Sequence, residues 1–269
     1  MATSTVPERA PIVAHHFNNL LQQQSTQRLG MWVFLVTEVL FFGGIFCAYT
    51  AYRVWYPKEF EAGSTALNPA IAGVNSFLLL LSSFTCTLGI RAAYMGNRRG
   101  LQMGLALTIM LGSAFLGFKA REYYVDYKEG LVPNPRRMTI IEPGLDGKPV
   151  KKEVSEFGQK LKHALSDKKY YRDNPQALEE VNADRVQLFF AFYYTMTGLH
   201  VIHMIVGIAL LLWQFILAGT GFFDFKERYV YVEVLSLYWH FVELVWIFLL
   251  PLLYMAGHHS VSQLSLFGG

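Results

Sequence analysis

The sequence is short of charge and of cysteine. Charged residues make up 16% of its 269 positions, against about 25% in an average soluble domain. They are also bunched, with 14 of the 23 Lys and Arg and 12 of the 20 acidic residues lying between Lys119 and Arg185. Outside that stretch the chain has the composition of a membrane bundle, and hydrophobic residues reach 53% overall. The net charge of +3 is spread over loops, so there is no basic stripe of the kind that neutralises a phosphate backbone, and nucleic acid is not an expected partner. Cys47 and Cys86, the only cysteines, stand in apolar stretches where a thiol acts as a small hydrophobe. No disulfide is expected, and neither a C-x-x-C-H haem attachment nor a paired-cysteine zinc spacing occurs. Residues 1–28 contain no long apolar core, so no cleavable signal peptide is expected and the first hydrophobic helix should itself direct insertion.

What is present in quantity is long apolar segments. A hydrocarbon core about 30 Å thick needs roughly 20 apolar residues of helix, with every backbone polar group satisfied internally. Five segments qualify: 29–52, 70–94, 101–118 with an extension towards Tyr124, 186–218 and 229–256. The chain therefore reads as an all-α, five-span membrane bundle. It has an N-terminal segment 1–28, spans one to three over 29–118, a long connection 119–185, spans four and five over 186–256, and a tail 257–269. Seven Lys and Arg (Arg9, Arg28, Arg91, Arg98, Arg99, Lys226 and Arg228) mark one side, and Arg53 and Lys58 mark the short loop of the other. By the positive-inside rule the N-terminus is cytoplasmic, and the long connection and C-terminus are extracytoplasmic. Trp32, Trp55, Tyr56, Tyr123, Tyr124, Trp239 and Tyr254 lie near span ends, where amphipathic rings favour the headgroup region.

Within the connection, Pro133, Pro135, Pro143 and Pro149 predict extended or turn structure. Val154, Phe157, Leu161 and Leu165 recur at helical spacing, which predicts a short amphipathic helix over 153–165, either packed on the bundle mouth or docking a partner. No internal repeat or pair of broken half-helices points to a carrier.

The polar residues inside the spans are few and costly. Glu38 falls near mid-membrane, where an acidic side chain costs about 2.5–3.5 kcal/mol on insertion scales, so it should be neutral, paired or facing a water-filled or lipid-headgroup cleft. His200 and His203, three apart, are read as sharing a face and hydrogen-bonding between helices. A metal would need more ligands, and His240, Glu243 and Glu38 are the nearest candidates. The di-iron arrangement needs two Glu-x-x-His pairs, whereas His240 and Glu243 occur once and in reverse order. His240 and Glu243 are expected to hold each other's charge or share a proton. Glu233 should snorkel or meet Arg228. Gly43, Gly44, Gly104, Gly112, Ser113 and Gly117 are small residues of the kind that allow close helix approach.

Three blocks, on three spans and in order, resemble subunit III of the haem-copper terminal oxidases. They are LGMWVFLVTE ending at Glu38 with Phe41, Phe42, Gly43 and Gly44; TGLHVIH over 197–203 with Gly207; and YWHFVELVW over 238–246 preceded by Glu233. Glu122 and Tyr123 also resemble that family's Glu-Tyr pair. The departures are the absence of two leading helices found in the mitochondrial form, a longer outer connection, and Glu243 where mitochondrial relatives carry Asp.

The resemblance implies a bacterial five-helix form in the plasma membrane. It implies an accessory subunit without haem or copper of its own, associated with the haem- and copper-bearing catalytic subunit I, with subunit II, and with a cytochrome domain near the outer connection. It also implies bound phospholipid in a cleft around Glu38, with Trp32 and Arg91 contributing, and support of oxygen access and proton uptake for O2 reduction. Glu122, His200, His203, Glu233, His240 and Glu243 match buried polar positions. Competing readings are a subunit of a quinol oxidase or nitric oxide reductase, and an independent metalloenzyme built on Glu38, His200, His203, His240 and Glu243.

Overall fold

The computed structural model describes residues 17–134, 137–143, 149–224 and 228–255. Five helices are long and apolar enough to cross a membrane: α1 Leu20–Trp55, α3 Pro69–Tyr94, α4 Arg98–Glu129, α8 Ala183–Gly219 and α9 Tyr229–Tyr254. Shorter helices α2 Pro57–Ala66, α5 Glu156–Ser166, α6 Lys169–Asp173 and α7 Pro175–Glu179 lie between them. Strands β1 Arg137–Pro143 and β2 Pro149–Ser155 pair antiparallel, with Arg137 opposite Ser155 and Pro143 opposite Pro149. The bundle is thus all-helical in its spans, and the proline-rich part of the connection closes into a hairpin.

The helix starts have a common cause. Asn19, Asn68, Asn97 and Asn182 stand just before α1, α3, α4 and α8, and each side chain accepts a hydrogen bond from an otherwise unpaired N–H of the first turn. Ser155 does the same for α5, 3.0 Å from the Gly158 nitrogen. At its other end α4 stops at Gly130, whose φ of 70° is the left-handed conformation that glycine tolerates.

The expected third span covered 101–118 with an extension towards Tyr124, since charges begin at Lys119. The helix instead runs on to Glu129, because a charge ends an apolar segment without ending a helix. α1 likewise starts at Leu20, not Leu29, and its 36 residues are about 54 Å long. The amphipathic helix begins at Glu156 instead of Glu153, since 149–155 pair as β2. Its Phe157, Leu161 and Leu165 are buried, with Phe157 edge-on to Phe190 of α8 at 5.6 Å. That apolar face packs on the bundle mouth. At the surface, Lys58 in the first turn of α2 meets Glu180 at 2.7 Å. The bond holds the carboxyl below, and the ammonium above, the ordinary range.

The core is aromatic and sits around α9, the most buried span, while α1 is the most exposed. Trp239 and Trp246 of α9 donate from Nε1 to Ser82 and Ser76 of α3, each at 3.0 Å. Trp239 and Tyr254 are wholly buried, so neither belongs to an aromatic belt, whereas Trp32, Trp55 and Tyr124 are exposed as that belt requires. Gly104 and Gly112 allow close approach: a Cβ on Gly104 would lie 2.6 Å from Gly89 Cα, and one on Gly112 would lie 2.8 Å from the Trp239 ring. Gly43, Gly44 and Gly117 do not serve this purpose within the chain, since a Cβ on each meets nothing within 4 Å. The N-terminal residues with Arg9, the Lys226 position and the tail 257–269 lie outside the described residues.

Candidate functional site

Two polar centres are built into the spans. The first joins α1 to α8. Glu38 falls at the midpoint of α1, and its Oε2 lies 3.1 Å from His203 Nε2. The other ring nitrogen, Nδ1, is 2.8 Å from the Leu199 carbonyl one turn back. A histidine between a carboxylate and a carbonyl is fixed in orientation, because both acceptors call for N–H donors. Phe42 stacks edge-on to the imidazole at 5.2 Å, and Tyr238 of α9 donates to the His203 carbonyl at 3.0 Å. The side chains of His203 and Glu38 keep 18% and 19% of their surface exposed. The pair therefore opens to the flank of the bundle and is not sealed within it.

His200 does not share this site. Its ring is turned inward between Phe115 of α4, edge-on at 5.7 Å, and Trp246 of α9 at 5.3 Å. It is fully buried, and neither ring nitrogen has a hydrogen-bond partner among the described residues. The expectation that both histidines work as one face is corrected, because the small angular offset between i and i+3 is enough to aim them at different neighbours. The His240 and Glu243 pairing also fails. His240 Nε2 lies 3.5 Å from both the Ser83 carbonyl and Thr87 Oγ1 of α3. Glu243 turns to Ser82, Ser83 and Trp239, leaving Oε1 without a partner among the described residues. Both residues face α3 rather than each other. Among the described residues no three His, Cys, Asp or Glu side chains converge as a metal site would require.

Glu233 is 2.8 Å from Arg28 of α1, which also donates to Tyr229 at 3.3 Å. It does not meet Arg228, which donates instead to the Phe222 carbonyl. A half-buried span-end carboxylate pairs with the long cation within reach, and α1 extends far enough to supply one. Arg91 stands exposed in the last turn of α3, and Trp32 is exposed on α1.

The second centre was not foreseen from the sequence, apart from Glu122. Lys119 is 1% exposed. Its ammonium donates to Glu122 Oε2 at 3.0 Å, to the Tyr193 hydroxyl at 3.1 Å and to the Tyr254 hydroxyl at 2.5 Å. Three donors thus meet three acceptors. Tyr254 in turn donates to Glu122 Oε1 at 2.6 Å, and Tyr193 lies within reach of Glu122 at 3.1 Å and Asp126 at 3.3 Å. Residues 119, 122 and 126 fall on one face of α4, since spacings of three and four bring side chains together on a helix. That spacing was the available signal, and it was obscured by treating the charged stretch as a loop.

The family model described as cytochrome c oxidase subunit III matches residues 8–127 and 176–258, leaving unmatched a segment that holds the hairpin, α5 and α6. A cytochrome c oxidase subunit 3 of Thermostichus vulcanus is 26% identical over 230 residues, covering 84% of this chain and 86% of that protein. The corresponding protein of Synechocystis sp. is 28% identical over 229 residues, covering 84% and 74%. A probable quinol oxidase subunit 3 of Staphylococcus haemolyticus is 22% identical over 232 residues, covering 86% and 89%. Since the family model matches well over half of the chain, the chain belongs to the cytochrome c oxidase subunit III family and is a subunit III of a haem-copper oxidase.

Proposed function

We propose that this chain is a non-catalytic flank of its oxidase, holding phospholipid beside Glu38 and stabilising the haem- and copper-bearing catalytic subunit during proton-pumping reduction of O2 to water. The observation that carries this is the Glu38 and His203 pair, a mid-span charge centre kept partly open on the most exposed helix. Placing a carboxyl there is costly, and the imidazole offsets the cost only in part because the site remains accessible. A lipid headgroup or a neighbouring subunit then completes it, with the exposed Trp32 and Arg91 both towards the cytoplasmic interface. His240, Glu243, Glu122 and Glu233 act as polar ties between helices, and His200 fills the core between Phe115 and Trp246. Subunit II and a cytochrome domain near the connection complete the assembly, in a bacterial plasma membrane with the N-terminus cytoplasmic and the C-terminus outside.

The electron donor is cytochrome c or quinol, and the quinol reading is favoured by the Staphylococcus haemolyticus relative. Turnover of the purified complex with each donor distinguishes them. The accessory role is tested by Glu38→Ala in the complex. We expect normal assembly and initial turnover, with less bound phospholipid and faster inactivation during catalysis. Equal lipid content and equal inactivation rates for variant and wild type would refute it.

A further inference from the structure

A cavity of 970 Å³ lies on the connection side of the bundle, between the start of α3, the last turns of α4 and the overlying α5. It is separate from the Glu38 pair and has no part in the role proposed above. Its chemistry changes in order along α4. Phe118 comes first, 41% exposed, facing Ile71 of α3 across the cavity. Arg121 follows one turn on, and Asp126 and Glu129 line the end nearest the connection. Positions 118, 121, 125 and 129 fall on one stripe of the helix, and Asp126 lies about 7.5 Å beyond Arg121 along the axis.

Four Lys and Arg side chains and four carboxylates line the cavity, so a ligand of a single charge sign meets as much repulsion as attraction. One wall nevertheless carries a local need. Lys119 is the single buried cation beside two buried carboxylates, Glu122 and Asp126, and its three donors are taken by Glu122, Tyr193 and Tyr254. Asp126 receives only the Tyr193 hydroxyl, at 3.3 Å, and lines the cavity. A carboxylate held in low dielectric without its own cation favours an ammonium donor.

We propose that this cavity seats the headgroup of a phospholipid that carries both a phosphate and a primary ammonium, of the phosphatidylethanolamine class. Arg121 takes the phosphate, Asp126 and Glu129 take the ammonium, and the acyl chains leave past Phe118 and Ile71 into the bilayer. From Phe118 through Arg121 to Asp126 the order along α4 follows the order of groups along such a lipid from chain through phosphate to ammonium, with Lys128, Lys160 and Lys168 also in the lining. A trimethylated headgroup fits less well, because it offers no N–H donors to the carboxylates, and quaternary ammonium sites use several aromatic faces, whereas Phe118 is the only Phe, Tyr or Trp in this lining. The roof, α5, lies in the segment that the family model leaves unmatched.

The test uses the whole oxidase complex, stripped of lipid and then offered phosphatidylethanolamine, phosphatidylcholine or phosphatidylglycerol of the same acyl composition, with retained lipid counted by native mass spectrometry. Wild type is expected to retain one more phosphatidylethanolamine than either other lipid, with a preference of about fivefold or more. Arg121→Gln and Asp126→Asn should each abolish that preference while subunit composition is unchanged. Arg121 is exposed, so its variant is not expected to disturb folding. Soluble glycerophosphoethanolamine at equal concentration should not displace the lipid. Equal retention of the three lipids, an unchanged preference in the Arg121→Gln complex, or displacement by the soluble headgroup would each overturn the proposal.

Discussion

At the scale of single residues, the buried cation of the spans is held by geometry that satisfies it. Each donor of Lys119 has an acceptor, and four aromatic rings lie within 5.4 Å of its ammonium. Breaking a buried ion pair by removing one partner costs about 3–5 kcal/mol, much of it the penalty of the charge left behind. Lys119→Met should therefore markedly lower the thermal stability of the complex, and Lys119→Met with Glu122→Gln should recover part of the loss. A single variant as stable as wild type would contradict this account of the network. Glu38 and His203 were legible in the sequence as costly mid-span groups. Their partnership was not, because residues 165 apart meet only through the packing of α1 on α8. For His200 the sequence misled, since a three-residue spacing does not say which neighbour each ring faces.

At the scale of elements, small residues sort into two classes that composition alone does not separate. Gly104 presses on the backbone of Gly89, and backbone cannot yield as a side chain can. Gly104→Leu should force α3 and α4 apart, with an overpacking cost of about 1–3 kcal/mol, visible as reduced thermal stability or lost assembly. Gly43→Ala meets no heavy atom within 4 Å and should leave the fold of this chain within about 0.5 kcal/mol of wild type. A loss confined to subunit association would mark α1 as the face toward a partner, whereas unfolding of this chain would contradict the packing described. The five spans were readable because hydropathy over roughly 20 residues is a strong signal. The ends were less so: the continuation of α4 through Lys119, Glu122 and Asp126 was readable only from the stop at Gly130. The short helix α2 was not anticipated, because its ten residues follow a proline in what reads as a loop.

At the scale of the whole molecule, a densely packed aromatic centre around α9 is flanked by an exposed α1 and topped by a connection with its own hairpin and helices. The hairpin is independent of the spans in its backbone pairing, so replacing 137–149 with a short polar linker should leave span packing and complex assembly intact. Loss of the catalytic subunit from such a complex would show instead that the hairpin is a docking element. The central proposal, that this chain is a non-catalytic flank serving a redox-active neighbour, is tested most directly by purifying the native complex through a tag on this chain and recording its optical spectrum and subunit masses. The account predicts a larger haem-bearing subunit in constant ratio to this chain, with the haem signal lost when that subunit is removed. Recovery of this chain from native membranes as a stable, haem-free monomer, or haem and copper remaining on this chain alone, would contradict it.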